Sequence, residues 1–197
     1  MQLQNSRISD LKIGVKGTVS GFSYKAQFSY KYVWNQAFFY ADSSDTRRFT
    51  VVYAPNMKAL NPHLELGYNY RDEFTALLSL DYNKYTVSTG EKAWYMPSFI
   101  ANLKLRYNIK DKIILGADVY AFTAYNGIPH YVNNSVVDYA TFSQKGTADA
   151  NLSIEYLYNK HVSFFGYLNN IANQKYQRFA NYPVFGINGI AGVKYAF

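Results

Sequence analysis

The residues best suited to acid–base or metal chemistry are His63, His130 and His161, and their placement argues against both roles. They lie far apart and lack metal-ligand spacing. His161 and Ser163 share one face at i,i+2, but nucleophilic catalysis also needs an oriented acid and an oxyanion donor, and neither can be named. Cysteine is absent, which excludes thiolate and disulfide chemistry. No P-loop, dinucleotide fingerprint or paired-carboxylate motif is visible, so neither an enzyme nor a cofactor is expected. A second set of chemically capable residues is aromatic: Trp34, Phe38, Phe39, Tyr40, Trp94, Tyr95, Tyr125, Tyr131, Tyr139 and Phe142 fall in the longer connections. Exposed rings there stack on sugars or seat a partner. Trp34, Trp94, Tyr125 and Tyr131 are the candidate ligand contacts. The competing reading is an aromatic ring around the molecule, with loops packed on one another. A third set is polar. Asn169-Asn170 is a pair suited to bonding backbone at a turn. Lys104, Arg106, Asp118, Asp149, Glu155 and Lys194 are suited to pairing with one another across strands.

The elements that must position these residues are strands. Period-two alternation recurs along the chain. In Phe22–Tyr32 one face is Phe22, Tyr24, Ala26, Phe28, Tyr30 and Tyr32, and the other is Ser23, Lys25, Gln27, Ser29 and Lys31. That length is close to the roughly 9–11 residues that cross a bilayer at a tilt. The same rule sets Leu64, Leu66, Tyr68 and Tyr70 against Glu65, Asn69 and Arg71, and Leu103, Leu105 and Tyr107 against Asn102, Lys104 and Arg106. It also sets Ala150, Leu152 and Ile154 against Asn151, Ser153 and Glu155. This interleaving explains how a chain 49% hydrophobic and 19% aromatic keeps a mean hydropathy of −0.25. No run of about 18 apolar residues occurs, so a transmembrane helix is not expected.

Connections alternate short and long. The short ones are Ser20-Gly21, Arg71-Asp72-Glu73, 108–112 and 157–161. The long ones are 33–61, 86–97, 124–144 and 170–186. Apolar faces end in Tyr70, Phe74, Tyr107, Tyr156, Tyr195 and Phe197 beside short turns or the chain end, the place for an interfacial aromatic girdle. The fold expected is all-β: a partial antiparallel up-and-down transmembrane β-barrel of about nine to ten strands, with short periplasmic turns and long extracellular loops. Residues 49–53 read as β structure within or above the first long loop, because Pro55 and Pro62 argue against a continuous ladder. Net charge is +7. It fits lysines facing a solvated interior, or attraction to anionic lipid headgroups or an anionic ligand. Nucleic acid is not an expected partner, since there is no basic cluster and no helix to carry one.

The last eight residues, Ile190 to Phe197, resemble the C-terminal recognition signal of bacterial outer-membrane barrels: Gly192, Tyr195 and Phe197 match, while Ile190 stands where a polar residue is usual. The resemblance implies the barrel-assembly machinery and the outer-membrane bilayer as partners. Leu168-Asn-Asn-Ile-Ala-Asn-Gln-Lys-Tyr176 and the terminal strand resemble the end of TonB-dependent receptors, with Asn169, Asn170 and Tyr176 on motif positions. Ile171, Ala172 and Asn173 depart from the motif. The tyrosine-rich strands are similar to such receptors from Bacteroidetes-like bacteria. The resemblance covers 162–197 well and 60–197 loosely. It implies energised uptake of a nutrient such as a siderophore or glycan, a plug domain inside a 22-stranded barrel, an energy-coupling protein and a surface lipoprotein as partners. Residues 1–197 are then one barrel segment, the C-terminal portion of a larger barrel without its plug. Two rivals are a small self-contained outer-membrane barrel acting as a pore or anchor, and a soluble lipocalin-like binding barrel. The soluble form would turn Leu64, Leu78, Leu103, Val119 and Leu152 inward.

Overall fold

The computed structural model describes residues 4–41, 49–90, 92–127, 130–132, 135–138, 143–179 and 182–197. Nine strands follow one another across a single sheet: β1 (Arg7–Val19), β2 (Phe22–Ala41), β3 (Phe49–Tyr70), β4 (Phe74–Tyr82), β5 (Phe99–Ile109), β6 (Ile113–Phe122), β7 (Thr147–Leu157), β8 (Val162–Asn169) and β9 (Asn188–Tyr195). A short strand, Lys84–Val87, continues the line of β4 alongside β3. Every pairing between neighbours is antiparallel. This is the up-and-down all-β architecture expected.

Register turns the alternation into two continuous faces. Val15, Ala26, Leu64, Leu80, Ala101, Ala121 and Ala148 form one apolar row across seven strands. The adjacent polar row is Lys16, Lys25, Glu65, Ser79, Asn102, Tyr120 and Asp149. Leu11, Ile13, Leu64, Leu66, Leu152 and Val193 are exposed on the apolar side. A contiguous apolar wall of this extent is the outer face of a lipid-embedded sheet, not of a soluble barrel. Of the residues that a lipocalin-like barrel would turn inward, Leu64 and Leu152 are exposed, Leu78, Leu103 and Val119 are half-buried, and none is buried.

Tight turns pin the register at one end. Ser20 and Gly21 take φ of 47° and 84°, and Lys110 and Asp111 take 50° and 53°. Two consecutive positive φ values give the hairpin turn whose twist matches the flanking strands. Between β7 and β8, Asn159 Oδ1 accepts from the His161 and Val162 amides, both at 2.8 Å. Aromatic rings line this end of the apolar face: Phe22–Tyr68 at 4.5 Å, Tyr68–Phe74 at 6.4 Å, Phe74–Tyr107 at 6.5 Å and Tyr195–Phe197 at 5.2 Å between centroids. A second band, with Tyr32–Trp34 at 4.5 Å and the facing pair Tyr82 and Phe99, borders the other end.

The first long connection is mostly not a loop. β2 and β3 stay paired from Phe22↔Tyr68 up to Ala41↔Phe49, so the ladder runs through Pro62 and skips only the Asn35 and Pro55 position. The argument from Pro55 and Pro62 fails for a local reason. Pro62 lies where the strand line beside β3 breaks at Asn83, and Pro55 lies beyond the end of Lys84–Val87. At both points β3 is an edge on one side, where a missing N–H leaves no acceptor stranded. Asn35, opposite Pro55, has φ of 52°, and neither residue pairs. Below this skip Val33 and Met57 are buried; above it Phe38 and Ala54 are. The two strands thus exchange faces together. Residues 4–6 fasten the skip: Ser6 Oγ donates to Asn35 O at 2.6 Å, and Asn35 Nδ2 donates to Asn5 O at 3.1 Å.

β1 and β9 are the two edges of the sheet, and among the described residues they do not pair with each other. With nine antiparallel strands between them, counting both, they run in the same direction. A substitution tests the assignment of faces. In protein reconstituted into lipid vesicles, Leu103→Arg should cost about 2–4 kcal/mol of unfolding free energy, while Asn102→Arg one residue away should cost little.

Candidate ligand-facing loop cluster and polar wall

The longer connections fold onto one another. Trp94 is buried with Val33, Phe38, Ala54, Met57 and Val87, which ties the 88–98 segment to the projecting β2–β3 hairpin. Phe122, Tyr125 and Tyr176 form a second buried group, and Tyr95 packs against both. Tyr95 sits at φ 59° with its amide donating to Asn126 O at 2.8 Å. Short two-stranded pieces add order: Tyr125–Asn126 with Ser143–Gln144, His130–Val132 with Ser135–Asp138, and Gln177–Phe179 with Tyr182–Pro183. The aromatics expected as exposed contacts therefore divide. Trp34 is 37% exposed and Phe39 is exposed, whereas Phe38, Trp94 and Tyr125 are buried. Tyr131 lies on a described backbone, with its side chain outside the described residues, as are Tyr139 and Phe142.

Polar bonds hold the second group. Tyr125 Oη donates to Gln177 O at 2.6 Å, Gln177 N donates to Gln144 Oε1 at 2.9 Å, and Tyr176 Oη donates to Asp149 Oδ2 at 3.1 Å. Burial, then the neighbouring Tyr120, Tyr176 and Tyr95, pushes the Tyr125 hydroxyl up to about 12, with Arg178 opposing. Burial also raises Tyr176, and the bond to Asp149 adds to it. Beside this group is a cavity of about 400 Å³ whose lining includes Tyr95, Tyr120, Phe122, Tyr125, Tyr176 and Arg178. Aromatic walls with one guanidinium suit a flat or sugar-like ligand carrying negative charge. Arg178 and Tyr120 were missed by sequence reasoning. Alternation alone puts Tyr120 on the polar face, but nothing in the chain brings Arg178 to it.

Asn170 governs how residues 171–187 leave the sheet. It is 3% exposed, with φ of 50°. Its amide donates to Asn151 Oδ1 at 2.9 Å, its Oδ1 accepts from Gln174 N at 2.8 Å, and its Nδ2 donates to Gln174 O and Phe185 O, both at 2.9 Å. Asn tolerates the left-handed backbone and supplies both bond types at once. Asn169 points elsewhere, with Nδ2 donating to Asn188 Oδ1 on β9 at 3.1 Å.

The polar wall carries linked charges. Glu155 accepts from Lys194 Nζ at 3.0 Å and from Ser163 Oγ at 2.8 Å. Lys104 stands directly opposite Asp118. His63 Nδ1 is 2.9 Å from Asp81 Oδ1, and Asp10 meets Lys12 at 3.1 Å and Ser29 Oγ at 2.6 Å. Ser163 and His161 go to different partners, His161 Nδ1 lying 2.9 Å from Ala196 O. Among the described residues no three potential ligands gather as a metal site. Gly192 has a packing reason to lack a side chain: a Cβ there would meet the Phe165 ring at 2.6 Å. Lys194 Nζ lies 5.3 Å over that same ring. Tyr195 rests between Phe197 and His161.

Two outcomes follow for the loop cluster. Asn170→Ala removes the side-chain bonds of a buried residue and should lower stability by about 2–3 kcal/mol, read as faster proteolysis within residues 171–187. Tyr125 is neutral when folded well above the ordinary tyrosine value near 10. Its contribution is intact below pH about 10 and is lost as pH rises towards 12, because the unfolded chain ionises first. Thermal unfolding across that window should lose its extra alkaline sensitivity in Tyr125→Phe.

No known family profile matches the sequence, and no curated protein matches it. Solved structures do. The chain superimposes on the ferripyoverdine receptor of the outer membrane of Pseudomonas aeruginosa with a TM-score of 0.74 and 14% identity, covering 96% of this chain and 27% of that one. For the ferric enterobactin receptor PfeA of Pseudomonas aeruginosa the values are 0.75 and 14%, over 98% and 31%. For the copper transporter OprC they are 0.73 and 16%, over 98% and 31%. The chain thus has the fold of the wall of outer-membrane receptor barrels, across a stretch that spans less than a third of their length.

Proposed function

We propose that residues 1–197 are one segment of the wall of a TonB-dependent receptor in a bacterial outer membrane, taking up a scarce nutrient when joined to a plug and further strands. The carrying observation is the sheet itself. It has a continuous apolar face, a polar face with linked charges, and two edges that are unpaired among the described residues and run in the same direction. Unpaired backbone groups in lipid cost several kcal/mol each. Direct closure of β1 on β9 would set two parallel strands side by side in an otherwise antiparallel wall. An odd number of additional crossings satisfies both edges and gives the even total usual for bacterial barrels. The unpaired edge of β1 counts against a self-contained small barrel.

In this reading the turn end faces the periplasm, the terminal Gly192-x-x-Tyr195-x-Phe197 serves barrel assembly, and the polar wall meets the plug. The pocket around Tyr125, Tyr176 and Arg178 opens to the outside as part of the ligand path. The neighbouring receptors for ferripyoverdine and ferric enterobactin support an iron chelate as ligand class, and the aromatic walls equally admit a glycan. Trp34 and Tyr131 remain candidate contacts, while Trp94 and Tyr125 hold the loops that carry them. A surface lipoprotein is a further proposed partner, and the tyrosine-rich strands support an origin in Bacteroidetes-like bacteria.

The full-length protein should fractionate with outer membranes, require detergent for extraction, and support uptake that stops when the energy-coupling protein is deleted. A chain that is monomeric and folded in plain buffer, or uptake indifferent to that deletion, overturns the reading.

A further inference from the structure

Aromatic rings meet at one small cavity above the sheet, and the two buried tyrosine hydroxyls among them are bonded elsewhere. The cavity of about 400 Å³ is lined in part by Tyr95, Tyr120, Phe122, Tyr125 and Tyr176. It falls within the size range of small-molecule sites. The rings do not lie as one stack. Phe122 and Tyr176 are inclined at 68°, and Tyr95 and Tyr125 at 62°, with centroids 5.4 and 6.5 Å apart. Tyr120 and Tyr125 flank Phe122 at 5.6 and 5.5 Å. Rings inclined in this way make the walls of a box. Phe122, Tyr125 and Tyr176 are buried and form its floor, whereas Arg178 is exposed and stands at its rim.

The chemistry of the floor is set by what its hydroxyls do. Tyr125 Oη donates to Gln177 O at 2.6 Å and Tyr176 Oη to Asp149 Oδ2 at 3.1 Å. A ligand resting there meets the ring carbons of these two residues, not their O–H groups. A phenol that donates to a carbonyl or a carboxylate also becomes richer in electrons, so its ring face grows more negative. Asp149 adds a full charge. It stands directly opposite Tyr120 and lies outside the lining. Its Oδ1 is buried with no hydrogen-bond partner, and among the described residues Asp149 has no cation within ion-pair distance. The pocket therefore has a negative floor and a fixed cation at its rim.

An anion alone would use Arg178 and leave the ring faces without a partner. A primary ammonium would bring N–H donors and a tight hydration shell that ring carbons replace poorly. A quaternary ammonium has no N–H group to satisfy and is held by ring faces alone. We propose that this pocket binds a small zwitterion, with its quaternary ammonium boxed by Tyr120, Phe122, Tyr125 and Tyr176 and its carboxylate or phosphate on Arg178. This rests on the reading of the pocket as part of the ligand path, and it names the chemistry the pocket itself accepts. Glycine betaine and phosphocholine each carry the required pair of charges.

The test titrates full-length protein in dodecyl maltoside with glycine betaine and with phosphocholine, read by isothermal calorimetry. At least one should bind, and at least about tenfold more tightly than choline, which lacks the anion, or 3,3-dimethylbutanoate, the carbon isostere of glycine betaine that lacks the cation. The preferred zwitterion tells a carboxylate ligand from a phosphate headgroup. Arg178→Gln should weaken zwitterion binding about tenfold without weakening choline. Tyr120→Leu should weaken zwitterion and choline alike, and Tyr120→Phe should restore both. No binding of either zwitterion overturns the proposal. So does equal binding of glycine betaine and its carbon isostere, or a Tyr120→Leu variant that binds as the parent does. Heat-modifiable electrophoretic mobility of each variant separates lost binding from lost folding. Failure of the receptor reading shows separately, as uptake indifferent to loss of the energy-coupling protein, whatever the pocket binds.

Discussion

Backbone hydrogen bonding in unbroken antiparallel register is the constraint on which everything else here depends. From the tight turns to the upper aromatic band the pairing does not slip, so odd and even numbers alone decide which face a side chain takes. A one-residue slip in any strand would send its leucines among the lysines of the polar wall. The turns protect against this. Each positive-φ pair, such as Lys110-Asp111, admits one register only. The polar wall adds its own checks, since Glu155 meets both Ser163 and Lys194 only if β7, β8 and β9 are aligned as they are.

Above the upper band the rule changes once, and by design of the backbone. The skip at Asn35 and Pro55 rotates both strands of the β2–β3 hairpin together, so Phe38 and Ala54 replace Val33 and Met57 as the covered residues. That hairpin becomes a post against which Trp94 can be buried. Tyr95 then carries the packing across to Phe122, Tyr125 and Tyr176. The loops are consequently a small aromatic core set on top of the sheet, and its rings line the cavity beside Arg178.

Much of the wall was legible in the sequence because its physics is local. Alternation in Phe22–Tyr32, the Ser20-Gly21 turn and the short–long order of connections each follow from a few adjacent residues. The upper hairpin was not legible. Pro55 and Pro62 look like breakers, and only the gap in the strand line on the side of β3 away from β2 makes them harmless. Burial of Trp94 and Tyr125 was hidden for a related reason: it depends on contact between connections far apart in the chain. The polar face is also less polar than alternation implies. Phe165 and Tyr167 lie on it, with Phe165 covering Gly192. The terminal glycine and Asn170 could be picked out from their surroundings in sequence, but their partners could not.

The shared direction of β1 and β9 bears on how such a wall diversifies over generations. Duplicating or deleting one crossing would reverse the sense of every strand beyond it and carry loops to the wrong side of the sheet. Duplicating or deleting a hairpin leaves each remaining strand facing as before. Change in this architecture is thus channelled into paired strands and into connection length. That is where this chain is most irregular, in the 20- and 22-residue strands of its tallest hairpin.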